Sequence, residues 1–127
     1  MAKTNYSVAI LETSKEITAK ERVALKDTSN AIKLDEVVAL DKPFVFKPEF
    51  YAILEIHNEA SEDKEYKNYV IVDDGGNKYA TGSESFFDSF IDIYSEMDGT
   101  GEEYAIEVRK VESKNYKGKT FLTCSIV

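Results

Sequence analysis

FYAILEIHN (50–58), NYVIVD (68–73), KYAT (78–81), ESFFDSFIDIYSEM (84–97), EYAIEVRKVE (103–112) and TFLTCSIV (120–127) follow one another between Phe50 and Val127. The first three pieces and the last two are rich in β-branched and aromatic residues and have Gly or Asn at their joints, so they read as strands. Asp74-Gly75-Gly76-Asn77 is a hairpin turn, because successive positive φ values suit Gly and Asn. In the last strand Leu122, Cys124 and Ile126 share one face, and Phe121, Thr123, Ser125 and Val127 the other. In the fourth, Tyr104, Ile106 and Val108 alternate with Ala105, Glu107 and Arg109. Each of the two therefore offers one face to a core and one to the outside.

The fourth piece is different. Phe86, Phe90, Ile93, Tyr94 and Met97 recur at helical spacing, while Asp88, Ser89, Asp92, Ser95 and Glu96 fill the other side. Thr81 or Ser83 can cap its first turn, and Thr81 with Glu84 has capping-box spacing. Asp98-Gly99-Thr100-Gly101 ends it, since glycine takes the left-handed conformation of a helix stop. Three strands, a helix and two strands is the element order of the five-stranded Greek-key barrel called the OB-fold. The sequence thus predicts a mainly β chain, an OB-fold-like barrel over 46–127. That fold most often holds single-stranded nucleic acid or an oligosaccharide, although a fold does not fix a function.

Working outward, KPFVFKPEF (42–50) carries two prolines, which confine it to an extended, non-central segment. AKERVALK within 15–41 favours helix, and Asp27-Thr28-Ser29-Asn30 breaks it. DEVVAL fits a short strand or a turn, and Tyr6–Leu11 a short strand or a helix. Residues 1–45 read as an extension packed on the barrel, too short to hold a core of their own. The 127 residues and 43% hydrophobic share suit one globular domain. No apolar run approaches the roughly 20 residues of a membrane helix. The first residues have no cleavage-site pattern, and the single cysteine, Cys124, reads as a buried thiol. A cytoplasmic location is the expectation.

The formal charge is −8, which opposes phosphate binding unless the positive charge is local. It is local. Ser83–Glu103 carries seven acids and no base, whereas Tyr104–Val127 carries five bases against two acids. An acidic helix and a basic hairpin make an asymmetric field, although both are also what ordinary solvated surface looks like.

The loops Glu59–Lys67 and Ser113–Lys119 occupy the places that flank the ligand face of an OB-fold. In the second, Lys114, Lys117 and Lys119 can neutralise phosphates, and Tyr116 can stack on a base without reading its identity. Tyr51, Tyr69 and Tyr79 fall one on each of the first three strands, where a stacking platform would be, and Lys78 and Arg109 could line the same groove. Each tyrosine also has a plainer reading as a half-buried packing residue. No cofactor or metal is expected. His57 has no partner motif, no Cys/His cluster has zinc spacing, the Gly75-Gly76 turn lacks a phosphate-gripping Lys-Ser/Thr, and the acidic loop lacks an EF-hand pattern. The sequence therefore points away from an enzyme.

TAKERVALKDTSNAIKLDE, NYVIVDDGGNKYATGSESFF and VESKNYKGKTFLTCSIV together resemble phage-encoded single-stranded DNA-binding proteins from viruses of Gram-positive bacteria. The resemblance implies an OB-fold module that coats single strands in replication and recombination. On that analogy Tyr69 and Tyr79 would stack bases, and Lys114, Tyr116, Lys117 and Lys119 would hold the backbone. The chain departs from bacterial single-strand binders in lacking tryptophan and a Gly/Pro-rich acidic tail. Recruitment of replication or recombination proteins would then fall to the acidic helix. Homo-oligomers built by strand pairing or through the N-terminal extension are also expected. The competing expectation is an acidic protein-interaction module with that helix as its contact face.

Overall fold

A computed structural model describes residues 6–27, 29–60, 64–115 and 118–127. The architecture is mainly β, with eight strands and three helices among the described residues. They fall into two sheets and two compact units, one formed by 1–32 and 49–82 and the other by 33–48 and 83–127.

In the first unit, β1 (Tyr6–Thr13), β4 (Pro48–Asn58), β5 (Glu65–Asp73), β6 (Lys78–Thr81) and β2 (Ile32–Lys33) lie side by side in the order β1-β4-β5-β6-β2. β1 runs antiparallel to β4 from Tyr6↔Asn58 to Thr13↔Ala52, with a bulge between Ile10 and Glu12 that leaves Leu11 outside the ladder and exposed. Pro48 is the first residue of β4, a position that needs no N–H for the ladder. β5 occupies the middle of the sheet, and Tyr69, Val70, Ile71, Val72 and Asp73 are all buried. Its unbroken apolar run fits a strand covered on both faces.

Helix α1 (Ala19–Lys26) starts at a capping box. Thr18 Oγ1 accepts the Glu21 N–H, and Glu21 Oε1 accepts the Thr18 N–H. Leu25, the one buried residue of α1, enters a core with Phe50, Ala52, Leu54, Val70, Val72 and Ala80. Val8, Ile10 and Ile17 pack against that cluster.

In the second unit, β3 (Phe44–Phe46), β7 (Ile106–Glu112) and β8 (Thr120–Ile126) form an antiparallel sheet in that order. Helix α3 (Glu84–Met97) packs along β8, the outer strand of the three. Ser85 Oγ donates to the Leu122 carbonyl and Ser89 Oγ meets Thr123 Oγ1, so the helix supplies polar partners along a sheet edge. Phe90 is the hub of its apolar side. Its ring centroid lies 6.0 Å from Phe86, 6.0 Å from Phe87 and 5.6 Å from Tyr94. Ser83 caps α3 by accepting the Phe86 N–H, and Gly99 follows its end at φ 82°. The four-residue α2 (Leu34–Val37) buries Leu34 and receives Lys110, whose Nζ donates to the Asp35 carbonyl.

The helix at 84–97 and the strands near 50, 70, 78, 106 and 120 lie where the sequence places them. Their assembly differs. Neither sheet closes into a barrel, because the five strands are divided, β4-β5-β6 in one sheet and β7-β8 in the other. Residues 1–45 supply β1 and β2 to the larger sheet and begin β3 of the smaller. The order of elements along a chain does not state which edges pair. Here Tyr6–Thr13 takes the edge of β4 and Phe44–Phe46 the edge of β7, which are the edges a closed barrel would join. Part of the predicted polar loop is also strand, since β5 begins at Glu65.

Candidate nucleic-acid interface

The three tyrosines expected to form a stacking platform are buried. Tyr51 is 7% exposed, Tyr69 7% and Tyr79 4%. The Tyr51 hydroxyl donates to Glu12 Oε2 at 2.7 Å, tying β4 to β1. Tyr79 donates to Asp73 Oδ2 at 2.7 Å. Asp73 is the centre of the β5–β6 turn, for its carboxylate also accepts the Gly75 and Asn77 N–H groups and the Asn77 side-chain amide. Gly76 at φ 85° lets the chain return. Burial raises the Asp73 carboxyl, but the bonds from Tyr79, Asn77 and Gly75 outweigh it and hold the group below its ordinary value. Burial first, and then the bond to Asp73, push the Tyr79 phenol up to about 12.

Lys78 is committed as well. Its Nζ donates to the Ala24 and Asp27 carbonyls, at 2.6 and 2.8 Å, at the C-terminal end of α1. A cation there satisfies carbonyls that the helix leaves open and complements its dipole. In this conformation, then, Tyr51, Tyr79 and Lys78 are joints of the first unit, and none of the three tyrosine rings has an open face for a base.

The remaining candidates belong to the second unit. Pairing of Glu107 with Ser125, Arg109 with Thr123 and Val111 with Phe121 puts these side chains on one face of the β7–β8 hairpin. Ile106, Val108, Leu122 and Cys124 are buried on the opposite face. Arg109 is exposed, donates to Ser125 Oγ at 2.6 Å and lies 3.7 Å from Glu107. Lys114 and Lys119 are exposed beside the hairpin turn. Tyr116 and Lys117 lie outside the described residues.

Phe121 is an exposed ring that the sequence reading did not single out. It is 43% exposed, two positions from Lys119, and sits opposite Val111 in the register, two pairs along the ladder from Arg109 and on the same face. Alternation does separate it from buried Leu122 and Cys124, and that signal was available. What drew attention away from it was the pattern of one tyrosine on each of the first three strands, which reads equally as packing and as a platform. An exposed ring on a face that also carries a guanidinium, with two lysines at its end, suits a base stacked over a neutralised backbone.

Helix α3 presents the opposite charge. Glu84, Asp88, Asp92 and Glu96 recur every fourth residue, are exposed, and form no ion pair among the described residues. Like charges at that spacing cost a few tenths of a kcal/mol per pair in an isolated helix. Burial pushes the Cys124 thiol up to about 12, which suits a packing residue and not a nucleophile.

His57 lies between Glu59 and Glu65. Among the described residues no group of three or more His, Cys, Asp or Glu side chains is placed to hold a metal ion, and no helix is long and apolar enough to cross a membrane. Comparison with family models, curated proteins and solved structures gave no match.

Proposed function

We propose that this protein binds single-stranded nucleic acid, in the first place DNA, without sequence preference and without catalysis, on the outer face of the β7–β8 hairpin. The observation that carries the reading is the coincidence, on one exposed strand-paired face and its adjoining turn, of Phe121 with Arg109, Lys114 and Lys119. Stacking on an aromatic ring contributes about 1–3 kcal/mol per base and accepts every base, while each phosphate neutralised makes affinity more salt-dependent. Tyr116 and Lys117, which the sequence expects to stack on a base and to neutralise a phosphate, belong to the same SKNYKGK stretch of the sequence but lie outside the described residues. The order of β4, β5, β6, α3, β7 and β8 is that of an OB-fold and supports a binding module of that kind, with its strands distributed over two open sheets. A role in coating strands during phage replication or recombination follows the sequence resemblance and belongs to the same proposal.

Fluorescence anisotropy of a labelled oligo-dT tests the reading, with duplex DNA as competitor. Binding should weaken between low and moderate salt and resist the duplex. Replacing Lys114 and Lys119 by Glu should remove most of it. Equal affinity for the charge-reversed protein would overturn the assignment of this face.

One observation favours a second reading. The carboxylates of α3, which form no ion pair among the described residues, make a face hostile to nucleic acid, which suits a contact with protein, whether a replication partner or another copy of the chain.

A further inference from the structure

Two shallow depressions on this molecule have the same apolar character and opposite rims. The first, of about 400 Å³, lies against α3 and β8 and is lined by Ile93, Met97 and Ile126, with Asp92 and Glu96 at its side. Ile126 is half-exposed. The second, of about 480 Å³, lies between β1 and α1 and is lined by Val8, Ala9, Ile10, Ala19 and Val23, with Arg22 and Lys26. Val23, on α1, is 70% exposed. Among the described residues, no ion pair engages Arg22, Lys26, Asp92 or Glu96.

The spacing of these groups matches. Arg22 and Lys26 are four residues apart on α1, and Asp92 and Glu96 are four apart on α3. Four residues rise about 6 Å along a helix, so each base can face one acid with the two helices side by side. Between the charges, Val23 stands at the base pair's own level, and Ile93 and Met97 stand one position beyond each acid. An aliphatic side chain flanked by two cations one turn apart is what an apolar floor beside two carboxylates accepts.

From this complementarity we infer that α1 of one copy docks in the α3–β8 depression of a second copy. Val23 meets Ile93, Met97 and Ile126, and Arg22 and Lys26 meet Asp92 and Glu96. The contact is heterologous, so every copy keeps one unused half, and association continues into a ring or an open row according to the rotation it imposes. Rim charges add little affinity each but set the partner and the register, so the association is weak and falls with salt. This goes beyond the nucleic-acid reading and does not depend on it, because none of the docking residues belongs to the Phe121 face.

Sedimentation velocity on the protein without nucleic acid tests it, at concentrations up to about 1 mM, where small interfaces become populated. The wild-type sedimentation coefficient should rise with concentration in low salt and stop rising in high salt. R22E/K26E and D92K/E96K should each stay monomeric, with unchanged circular dichroism because all four side chains are exposed. An equimolar mixture of the two variants should associate again, and so should the chain carrying all four changes. Wild-type protein that remains monomeric throughout, or a mixture and a fourfold variant that stay monomeric, overturns the proposal. Intact oligo-dT binding by these variants would leave the Phe121 reading standing in either case.

Discussion

The two units of this molecule use polar side chains in opposite ways. In the five-stranded unit polar side chains around β4, β5 and β6 are joined to partners, while Arg22 and Lys26 of α1 stay exposed. Tyr51 is held by Glu12, Tyr79 by Asp73, Asp73 by its own turn, and Lys78 by the end of α1. In the three-stranded unit the interior is hydrocarbon and aromatic, with Phe86, Phe90, Ile106, Val108 and Leu122 buried. Its charged groups remain outside, bases on the hairpin and acids on α3. A polar group spent on holding a strand or a turn is less available to a ligand. That applies also to Arg109, bonded to Ser125 and close to Glu107, and it leaves Lys114 and Lys119 as the exposed cations of the hairpin among the described residues. Tyr51 and Tyr79 therefore hold the first unit together, and the proposed nucleic-acid face falls on the second unit's surface.

The largest effect expected from breaking this division is in the aromatic core. Phe90→Ala removes the ring that Phe86, Phe87 and Tyr94 all touch, and should cost about 3–5 kcal/mol. Urea denaturation followed by circular dichroism would show the lowered midpoint. Asp73→Ala comes next. It strips the acceptor from the Tyr79 hydroxyl and from the Gly75 and Asn77 amides together, a loss on the order of 2–3 kcal/mol. Tyr79→Phe keeps the ring and should cost about 1 kcal/mol. Thr18→Ala, which opens the capping box of α1, should also cost about 1 kcal/mol, read as a small drop in melting temperature.

The same joints fix the dependence on pH. The Tyr79 phenol stands at about 12, above its ordinary 10.0, so its contribution is complete below pH 10 and disappears as pH rises toward 12. The Cys124 thiol, raised from 9.0 to about 12, acts in the same direction from pH 9. Asp73 is lowered from 3.8, so its contribution is present above that value and is lost on further acidification. Denaturant midpoints measured from pH 8 to 12 should fall less steeply for Tyr79→Phe than for the wild type. Parallel curves would remove Tyr79 from this account.

Much of the architecture was legible. The helix at 84–97 announces itself through Phe86, Phe90 and Tyr94 at helical spacing, and the turn after Asp73 through Gly75-Gly76-Asn77. Pairing was not, because nothing local in Tyr6–Thr13 states that it lies against β4. Of the candidate site, the placement of charge was legible. Charge segregation pointed to the hairpin bases and the helix acids, since solvated charges keep the position their sequence gives them. The burial of the three tyrosines was not legible, for a physical reason. A tyrosine on a half-exposed strand and one on a central strand share composition and period, and only the hydroxyl's partner separates them. Tyr69 and Tyr79 sit on central and near-central strands.

The most direct test of this division compares Phe121→Ala with Tyr69→Phe and Tyr79→Phe in oligo-dT binding, by fluorescence anisotropy at fixed low salt. Loss of one stacked base, about 1–3 kcal/mol, predicts affinity weakened by roughly 5- to 150-fold for Phe121→Ala. The two tyrosine variants should bind as the wild type does. Unchanged binding by Phe121→Ala together with weakened binding by the tyrosine variants would contradict the account and return recognition to the five-stranded unit.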